Sequence, residues 1–457
     1  MNLLGIVQNS LPGSLSSGAR LLVALSGGAD SVCLLLALRE LGFEVEALHC
    51  NFELRGIESD GDEAFCRRLC RAQGISLTVK HFRTKSYAQR HAVSIEMAAR
   101  RLRYEWFAEM AELRGAEAVC VAHHRDDNIE TFFLNLVRGT GIHGITGMSF
   151  SQPLPQASRG LLLRPLLRLS RMDIEAWLEE RGQTWCTDST NLRPEAAQRN
   201  FVRLRLLPLL EEMNPRVRET LDENIQRFVE AESLFDVAVN DALQRILVSE
   251  ECLDIARLKS EKAPRSILQE WLHPLGFNSI QINEIFEGLD GDSGRVWQSP
   301  SHRLLRDRGR LLLQSSLSAA TEKAEQIQVA PDGKVLPLDG LFIASSDVRL
   351  LIRRQAVDAA SFVIPRDRQT ACFDLEKLDL PLIIRPAREG DRMQPFGMDG
   401  TRLVSDIMTD RKLSLFEKER QLVVLSGERI VWLVGQRVAA GYEVDEATRH
   451  AMTLTLL

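Results

Sequence analysis

The sequence predicts an α/β protein with a parallel, doubly wound N-terminal domain, a mainly helical middle domain and a small α+β C-terminal domain. Three observations carry this. Strand and helix signals alternate through the first 140 residues. The stretch from 215 to about 290 has helical periodicity. Short β-rich runs return after the small, polar segment Ser315–Glu325, which reads as a linker. A length of 457 residues suits about three domains, placed at 1–215, 216–315 and 330–457.

Each element has a local reason. Leu21–Leu25 is a continuous apolar run, a buried strand, broken by Ser-Gly-Gly before a helix through Leu38. Val45–His49 is a second strand, followed by a helix over Glu58–Ala72. Ile75–His81 is a third strand, set off by Gly74, and Ile95–Leu113 carries apolar positions at helical spacing. Ala118–Ala122 and a helix over Asp127–Val137 complete the alternation. Such sheets bind ligands at the carboxyl ends of their strands. Arg164–Asn214 reads as Arg-rich helices, and Gly294–Gln314 as short strands around Pro300 and Gly309. Ile343–Ile352, Leu382–Arg385, Gln421–Leu425 and Ile430–Gly435 supply the last domain's strand signals.

Composition narrows the function class. At 44% hydrophobic and 26% charged the chain matches a soluble globular protein, which excludes a disordered tail, a rod or a disulfide-stapled miniprotein. Apolar runs such as Val32–Leu38 fall far short of the roughly 18 residues of a membrane span. The first basic residue is Arg20, so no basic leader pattern opens the chain, and a cytosolic protein without membrane contact is expected. A net charge of −6 disfavours indiscriminate coating of nucleic acid but leaves room for a local basic face. Only nine of the 57 basic residues are Lys. Arg pairs two phosphate oxygens through one rigid fork, although base composition of the gene explains Arg richness equally well. The eight cysteines form no Cys-x-x-Cys pair, which removes the signature of zinc ribbons, thioredoxin-like sites and iron–sulfur clusters.

The segment richest in chemistry is Ser26-Gly27-Gly28-Ala29-Asp30-Ser31, between the first strand and its helix. Two glycines let the backbone turn sharply and bring N–H groups close to an anion. The helix that follows points its positive end at the same place. Asp30 would repel a bare phosphate, but makes sense if it holds magnesium bridging phosphate oxygens; a plain helix-capping role is the alternative. No P-loop and no Gly-x-Gly-x-x-Gly fingerprint is present. This hexapeptide resembles the Ser-Gly-Gly-x-Asp-Ser hallmark of the PP-loop ATP pyrophosphatases, which have an adenine nucleotide α-hydrolase-like fold. The resemblance implies cleavage of ATP between its α and β phosphates, with Ser26 to Ser31 as ATP-binding residues and Asp30 as catalytic.

After the fourth strand, Ala122-His123-His124-Arg125-Asp126-Asp127-Asn128-Ile129-Glu130-Thr131 is followed by Arg138-Gly139-Thr140-Gly141. Asp126 and Asp127 sit at the mouth of the sheet, where at least one is expected to be catalytic; Asp127-x-x-Glu130 also fits a capping box. Arg138 beside two glycines suits a loop approaching phosphate or RNA. The block Ser94-Ile95-Glu96 through Tyr104 places Arg100 and Arg103 three apart on one helical face, which by spacing alone reads as a solvated face. Arg199 and Arg203 are an i,i+4 pair in Arg199-Asn200-Phe201-Val202-Arg203. Arg385-Pro386 through Arg388, Gly390, Asp391 and Arg392 forms a basic turn, with Lys412, Lys418 and Arg420 beyond it.

These blocks, with Arg164-Pro165-Leu166-Leu167 and Asp188-Ser189-Thr190-Asn191, follow the tRNA(Ile)-lysidine synthetases in order and spacing across nearly the whole chain. The resemblance implies a ligase that adenylates C2 of the wobble cytidine of CAU-anticodon tRNA(Ile) and replaces AMP with free L-lysine, so that AUG reading becomes AUA reading. It implies ATP as co-substrate, with Arg100 and Arg103 holding a nucleotide phosphate, and Mg2+ held by Asp30 and Asp127. Arg138, Arg199 and Arg203 in the first domain and Arg385, Arg388, Arg392, Lys412, Lys418 and Arg420 in the last would contact tRNA or phosphate, the middle domain would also contact tRNA, and the choice between monomer and homodimer stays open. The rival within the superfamily is a PP-loop tRNA thiolation enzyme, which normally has catalytic cysteines or a Cys-x-x-Cys cluster motif. The chain departs from the family pattern at Phe52 and Leu204, where histidines are common, and at Ser94, where Asn is common.

Overall fold

The computed structural model describes residues 2–16, 18–187, 198–316, 333–343, 348–357, 362–365 and 367–457. The Asp188–Asn191 block, and Ser315–Glu325 beyond its first two residues, lie outside these. The chain divides into two compact units, Met1–Asp236 and Val237–Leu457.

The first unit is built on a six-stranded sheet. Its strands are β1 (Arg20–Ala24), β2 (Glu44–Asn51), β3 (Ser76–His81), β4 (Ala118–Cys120), β5 (Ser151–Pro153) and β6 (Leu161–Leu163), in the order β3-β2-β1-β4-β6-β5. All pairings are parallel except β5 against β6. Leu21, Leu22 and Val23 of β1 are completely buried, as a strand covered on both faces requires. One face packs against α1 (Leu3–Asn9), α2 (Ala29–Glu40), α3 (Ile57–Gln73) and α8 (Arg171–Glu179), through Val32, Leu35, Cys66, Ile174 and Trp177. The other packs against α5 (Ile95–Arg114) through Tyr104, Trp106, Phe107 and Met110. Helices on both faces are the predicted doubly wound arrangement.

Between them lie α4 (Thr84–His91), a short polar helix without a clear apolar period in the sequence, and, after β4, α6 (Arg125–Arg138) and α7 (Ile142–Ile145). The region read as Arg-rich helices is preceded by the β5–β6 strand pair, whose three-residue strands are too short to show a period. Beyond α8 the chain forms α9 (Gln198–Phe201), a wide π-type stretch Val202–Leu206, α10 (Leu207–Met213) and α11 (Val217–Ile246). Ile129 and Phe132 of α6 pack with Val202, Leu207 and Ile225, tying these helices to the sheet's edge. Strand order reverses beside β1, so the crevice opens at the carboxyl ends of β1 and β4. This brings the 26–31 and 122–127 segments together.

In the second unit, a hairpin over Leu247–Ser249 and Cys252–Asp254 interrupts the helical stretch. It joins Val296–Gln298, His302–Asp307 and Arg310–Ser315, the predicted strands, in a five-stranded antiparallel sheet. Helices Pro264–Leu272 and Ser279–Glu287 close its core around Leu268, Trp271, Phe277 and Leu304. The C-terminal region is strand-rich: a five-stranded and a four-stranded sheet pack around Ile384, Phe373, Trp432 and Leu454. Among the described residues no helix is long and apolar enough to cross a membrane.

Candidate active site

The turn from β1 into α2 is shaped for an anion. Gly27 has φ +95°, a left-handed value that favours glycine. A Cβ there would stand 3.4 Å from both the Cys66 and Cys186 sulfurs. Ser31 Oγ accepts from the Ser26 and Gly27 N–H groups, at 3.1 and 3.2 Å, and donates to the Gly28 carbonyl at 2.9 Å. The loop is therefore held in shape by its own last residue. Ala29 and Asp30 open α2, where the first N–H groups lack intrahelical partners and the dipole is positive.

Asp30 is the group that does not belong in a plain anion cradle. Its Oδ2 pairs with Arg171 of α8. Its Oδ1 is buried with no hydrogen-bond partner, 3.8 Å from His124 Nε2. Burial pushes this carboxyl up, against the pull of His124 and Arg171. His124 caps α6: its Nδ1 accepts the Asp126 N–H at 3.2 Å, which places the ring proton on Nε2. That edge faces Asp30 and also Asp127, whose Oδ2 is 3.5 Å away.

The adjacent carboxylates have separate tasks. Asp127 Oδ2 accepts the His124 backbone N–H at 3.2 Å, so the capping box joins His124 with Asp127 and not Asp127 with Glu130. Burial disfavours the Asp127 carboxylate, but His124, His123 and that N–H hold it below the usual range. Asp126 accepts from the Arg171 backbone N–H at 3.0 Å and from Arg218 at 2.8 Å, one bond on each oxygen. It braces α6 against α8 and α11, with both oxygens engaged.

Glu130, read in the sequence only as a capping-box partner of Asp127, is completely buried beneath this site. Arg203 Nε donates to it at 2.6 Å, and Arg199 Nε lies 3.7 Å away. Burial still pushes its carboxyl upward. A carboxylate at helical spacing from Phe133 and Leu134, matched to an i,i+4 arginine pair, was the available signal. All these groups except Glu130 line a cavity of about 910 Å³ that also reaches Ser26, Gly28 and Leu204.

Two smaller cavities, of about 220 and 280 Å³, flank Ser26, and Arg103 lines both. Leu25, Phe107 and Val121 give the former the apolar walls a nucleobase requires. Arg103 lies over the Phe52 ring, 5.3 Å from its centroid, and Phe52 stacks on Phe82 at 5.4 Å. Phe52 thus serves as a platform for Arg103. Arg100, 5.1 Å above Tyr104, lines none of these cavities. Ser94 caps α5 by accepting the Met97 N–H at 3.2 Å, the task an Asn performs equally well. Arg138 is exposed at the end of α6 and bonds Gln198 at 3.3 Å.

In the second unit, Arg385 is turned inward, 8% exposed, and forks onto Asp391 with two 2.8 Å bonds. It braces the turn and is not the exposed phosphate contact expected of it. Arg388 and Arg392 remain exposed. Lys418 donates to Thr409 at 2.9 Å, while Lys412 and Arg420 line a cavity of about 560 Å³.

A doubly wound sheet with this loop at its switch point defines the PP-loop class, and a model described as "PP-loop domain" matches residues 3–210. Models described as "TilS substrate binding domain" and "TilS substrate C-terminal domain" match 249–316 and 382–454. A protein named tRNA(Ile)-lysidine synthase from Bacteroides thetaiotaomicron is 42% identical over 95% of this chain and 94% of its own length. The Parabacteroides distasonis protein of that name is 42% identical over 97% of both chains. Its Porphyromonas gingivalis counterpart is 39% identical over 93% of this chain and 91% of its own. The chain belongs to the tRNA(Ile)-lysidine synthase family.

Proposed function

We propose that this enzyme ligates lysine to C2 of the wobble cytidine in CAU-anticodon tRNA(Ile), in the cytosol, at the expense of ATP. The observation that carries the reading is the loop around Gly27 opposite the His124–Asp127 pair in one cavity, within a chain related to the family over nearly its whole length. In the first step the cytidine O2 attacks the α-phosphate; the bond to the β-phosphate breaks and pyrophosphate departs. In the second, the lysine ε-amine forms the C2–N bond and AMP leaves with the oxygen. No protein nucleophile is required. Fixed N–H donors of the loop and α2 stabilise charge developing on phosphate, usually the largest contribution in such chemistry. Arg103, borne on Phe52, reaches the nucleotide phosphates from the other side of Ser26.

Bound magnesium would neutralise phosphate oxygens. The donor set fits it: Asp30 offers a buried, unpartnered oxygen, and Asp127 faces the same imidazole edge. No cluster of three ligating side chains occurs among the described residues, which suits an ion held by one or two carboxylates plus phosphates. We assign Asp30 to that ion and Asp127 to the lysine ammonium, which must be oriented and relieved of a proton before attack. Residues 1–215 carry the chemistry in this reading, and 216–315 and 330–457 hold tRNA through exposed groups such as Arg388, Arg392, Lys412 and Arg420. The thiolation alternative is disfavoured by the cysteines: burial pushes the Cys66 thiol up, and holds Cys186 at about 11, far from a ready thiolate. An exchange assay tests the first step. Labelled pyrophosphate is to enter ATP only when CAU-anticodon tRNA is present; exchange without tRNA, or none with it, contradicts the adenylation step.

A further inference from the structure

We infer that Arg171 is a catalytic residue for the leaving pyrophosphate, released to it when Asp30 changes partner; this rests on the reading of the cavity as an ATP site. ATP brings several negative charges into the large cavity, yet the arginines lining it are already committed to carboxylates. Arg203 and, at 3.7 Å, Arg199 share the fully buried Glu130, and Arg218 pairs with Asp126. Breaking either would strand a buried carboxylate, which typically costs several kcal/mol. Arg55 pairs with Asp62 at 2.8 Å, and Arg125 with Glu219 at 3.7 Å. Neither of those carboxylates lies on the phosphate loop.

Arg171 differs in the carboxylate it holds. Its partner Asp30 belongs to the phosphate loop itself. Its side chain is 39% exposed, so its guanidinium can change direction without crossing packed core. Its backbone N–H is held by Asp126 at 3.0 Å and its Nε by Glu175 at 2.7 Å, so only the Nη1 end of the guanidinium has to change partner. The guanidinium therefore pivots on an anchored helix start. Were Asp30 to hold the cation that accompanies ATP, the Arg171 Nη1 edge would lose its acidic partner and face the phosphates, with Nε still on Glu175. Its planar fork then pairs oxygens of the departing pyrophosphate as the bond to the α-phosphate breaks. The same pair keeps Asp30 neutralised before ATP arrives, at a position where burial disfavours a bare carboxylate.

Titration calorimetry with magnesium pyrophosphate, on the full-length wild type, Arg171→Ala and Arg171→Lys, tests this without turnover. Arg171→Ala is expected to bind pyrophosphate at least tenfold more weakly, with Arg171→Lys between the two. Tracking adenylated tRNA, Arg171→Ala is expected to slow its formation about 100-fold and to leave lysine capture by preformed adenylate near the wild-type rate. Unchanged pyrophosphate affinity in Arg171→Ala, or equal loss in both steps, overturns the inference and leaves Arg171 a brace for Asp30. Failure of the wild type to modify tRNA would strike the functional reading alone, since pyrophosphate affinity is measured separately.

Discussion

Three side chains meet at the mouth of the sheet: Asp30, with an unpartnered oxygen, Asp127, and His124, whose Nε2 edge they share. If Asp30 serves phosphate and Asp127 serves lysine, their amide variants separate the two steps. Asp30→Asn is predicted to slow adenylation by about 10²–10³-fold, the range for losing one electrostatic stabiliser. Asp127→Asn is predicted to form adenylated tRNA and then stall, with lysine transfer down about 10²–10⁴-fold. Following α-labelled ATP through both products checks this, and a stall at the same step in both variants would refute the division. Gly27→Ala adds strain of about 1–2 kcal/mol at a left-handed position and meets two sulfurs. Nucleotide affinity, read by titration, is predicted to fall while the overall fold survives. The Ser26–Ser31 loop and the Asp127 neighbourhood were legible in the sequence because their chemistry is local. Glu130 and Arg171 were not, since their roles come from partners 73 and 141 residues away.

At the scale of elements, caps and braces set where these side chains point. Ser94 caps α5, the helix that carries Arg103, so Ser94→Ala is predicted to cost about 1 kcal/mol, whereas Ser94→Asn is near neutral. Chemical denaturation of the two variants measures the difference. The Arg385–Asp391 fork has both side chains about one-tenth exposed. Burial opposes the Asp391 charge, yet Arg385 and the Arg388 N–H hold its carboxyl below the usual range. A lowered folded-state value means that the pair stabilises above the unfolded carboxylate's titration, near pH 4, and is lost as pH falls through the folded value. Asp391→Asn is predicted to remove that acid sensitivity and to cost about 3–5 kcal/mol at neutral pH, because Arg385 is left buried and unpaired. Urea unfolding of the full chain at pH 7 and pH 3.5 reads both; a variant as stable as wild type at pH 7 would contradict the brace. Long periodic helices such as Ile95–Arg114 were legible almost to the residue. Three-residue strands, among them Leu161–Leu163 and Cys252–Asp254, were not, since a strand that short has no period to detect.

Across the whole molecule, the sequence's alternation reads directly as a doubly wound sheet, because β1 must be apolar on both faces and α2 nearly all round. The second unit was harder to foresee. Its hairpin at 247–254 pairs with the strand Arg310–Ser315, far along the chain, and such pairing leaves no local trace. The charge balance also takes a spatial meaning. The arginines of the first unit's cavity are largely neutralised by nearby carboxylates, while Arg388, Arg392 and Lys412 stay exposed in the second. A net charge of −6 is thus compatible with a local RNA-facing set. The central claim is tested most directly by incubating the purified chain with ATP, magnesium, lysine and CAU-anticodon tRNA(Ile), then analysing the wobble nucleoside by mass spectrometry. The account predicts a cytidine that has gained lysine with loss of water, dependent on ATP. An unchanged cytidine, or one carrying sulfur when a sulfur donor is supplied, would contradict it.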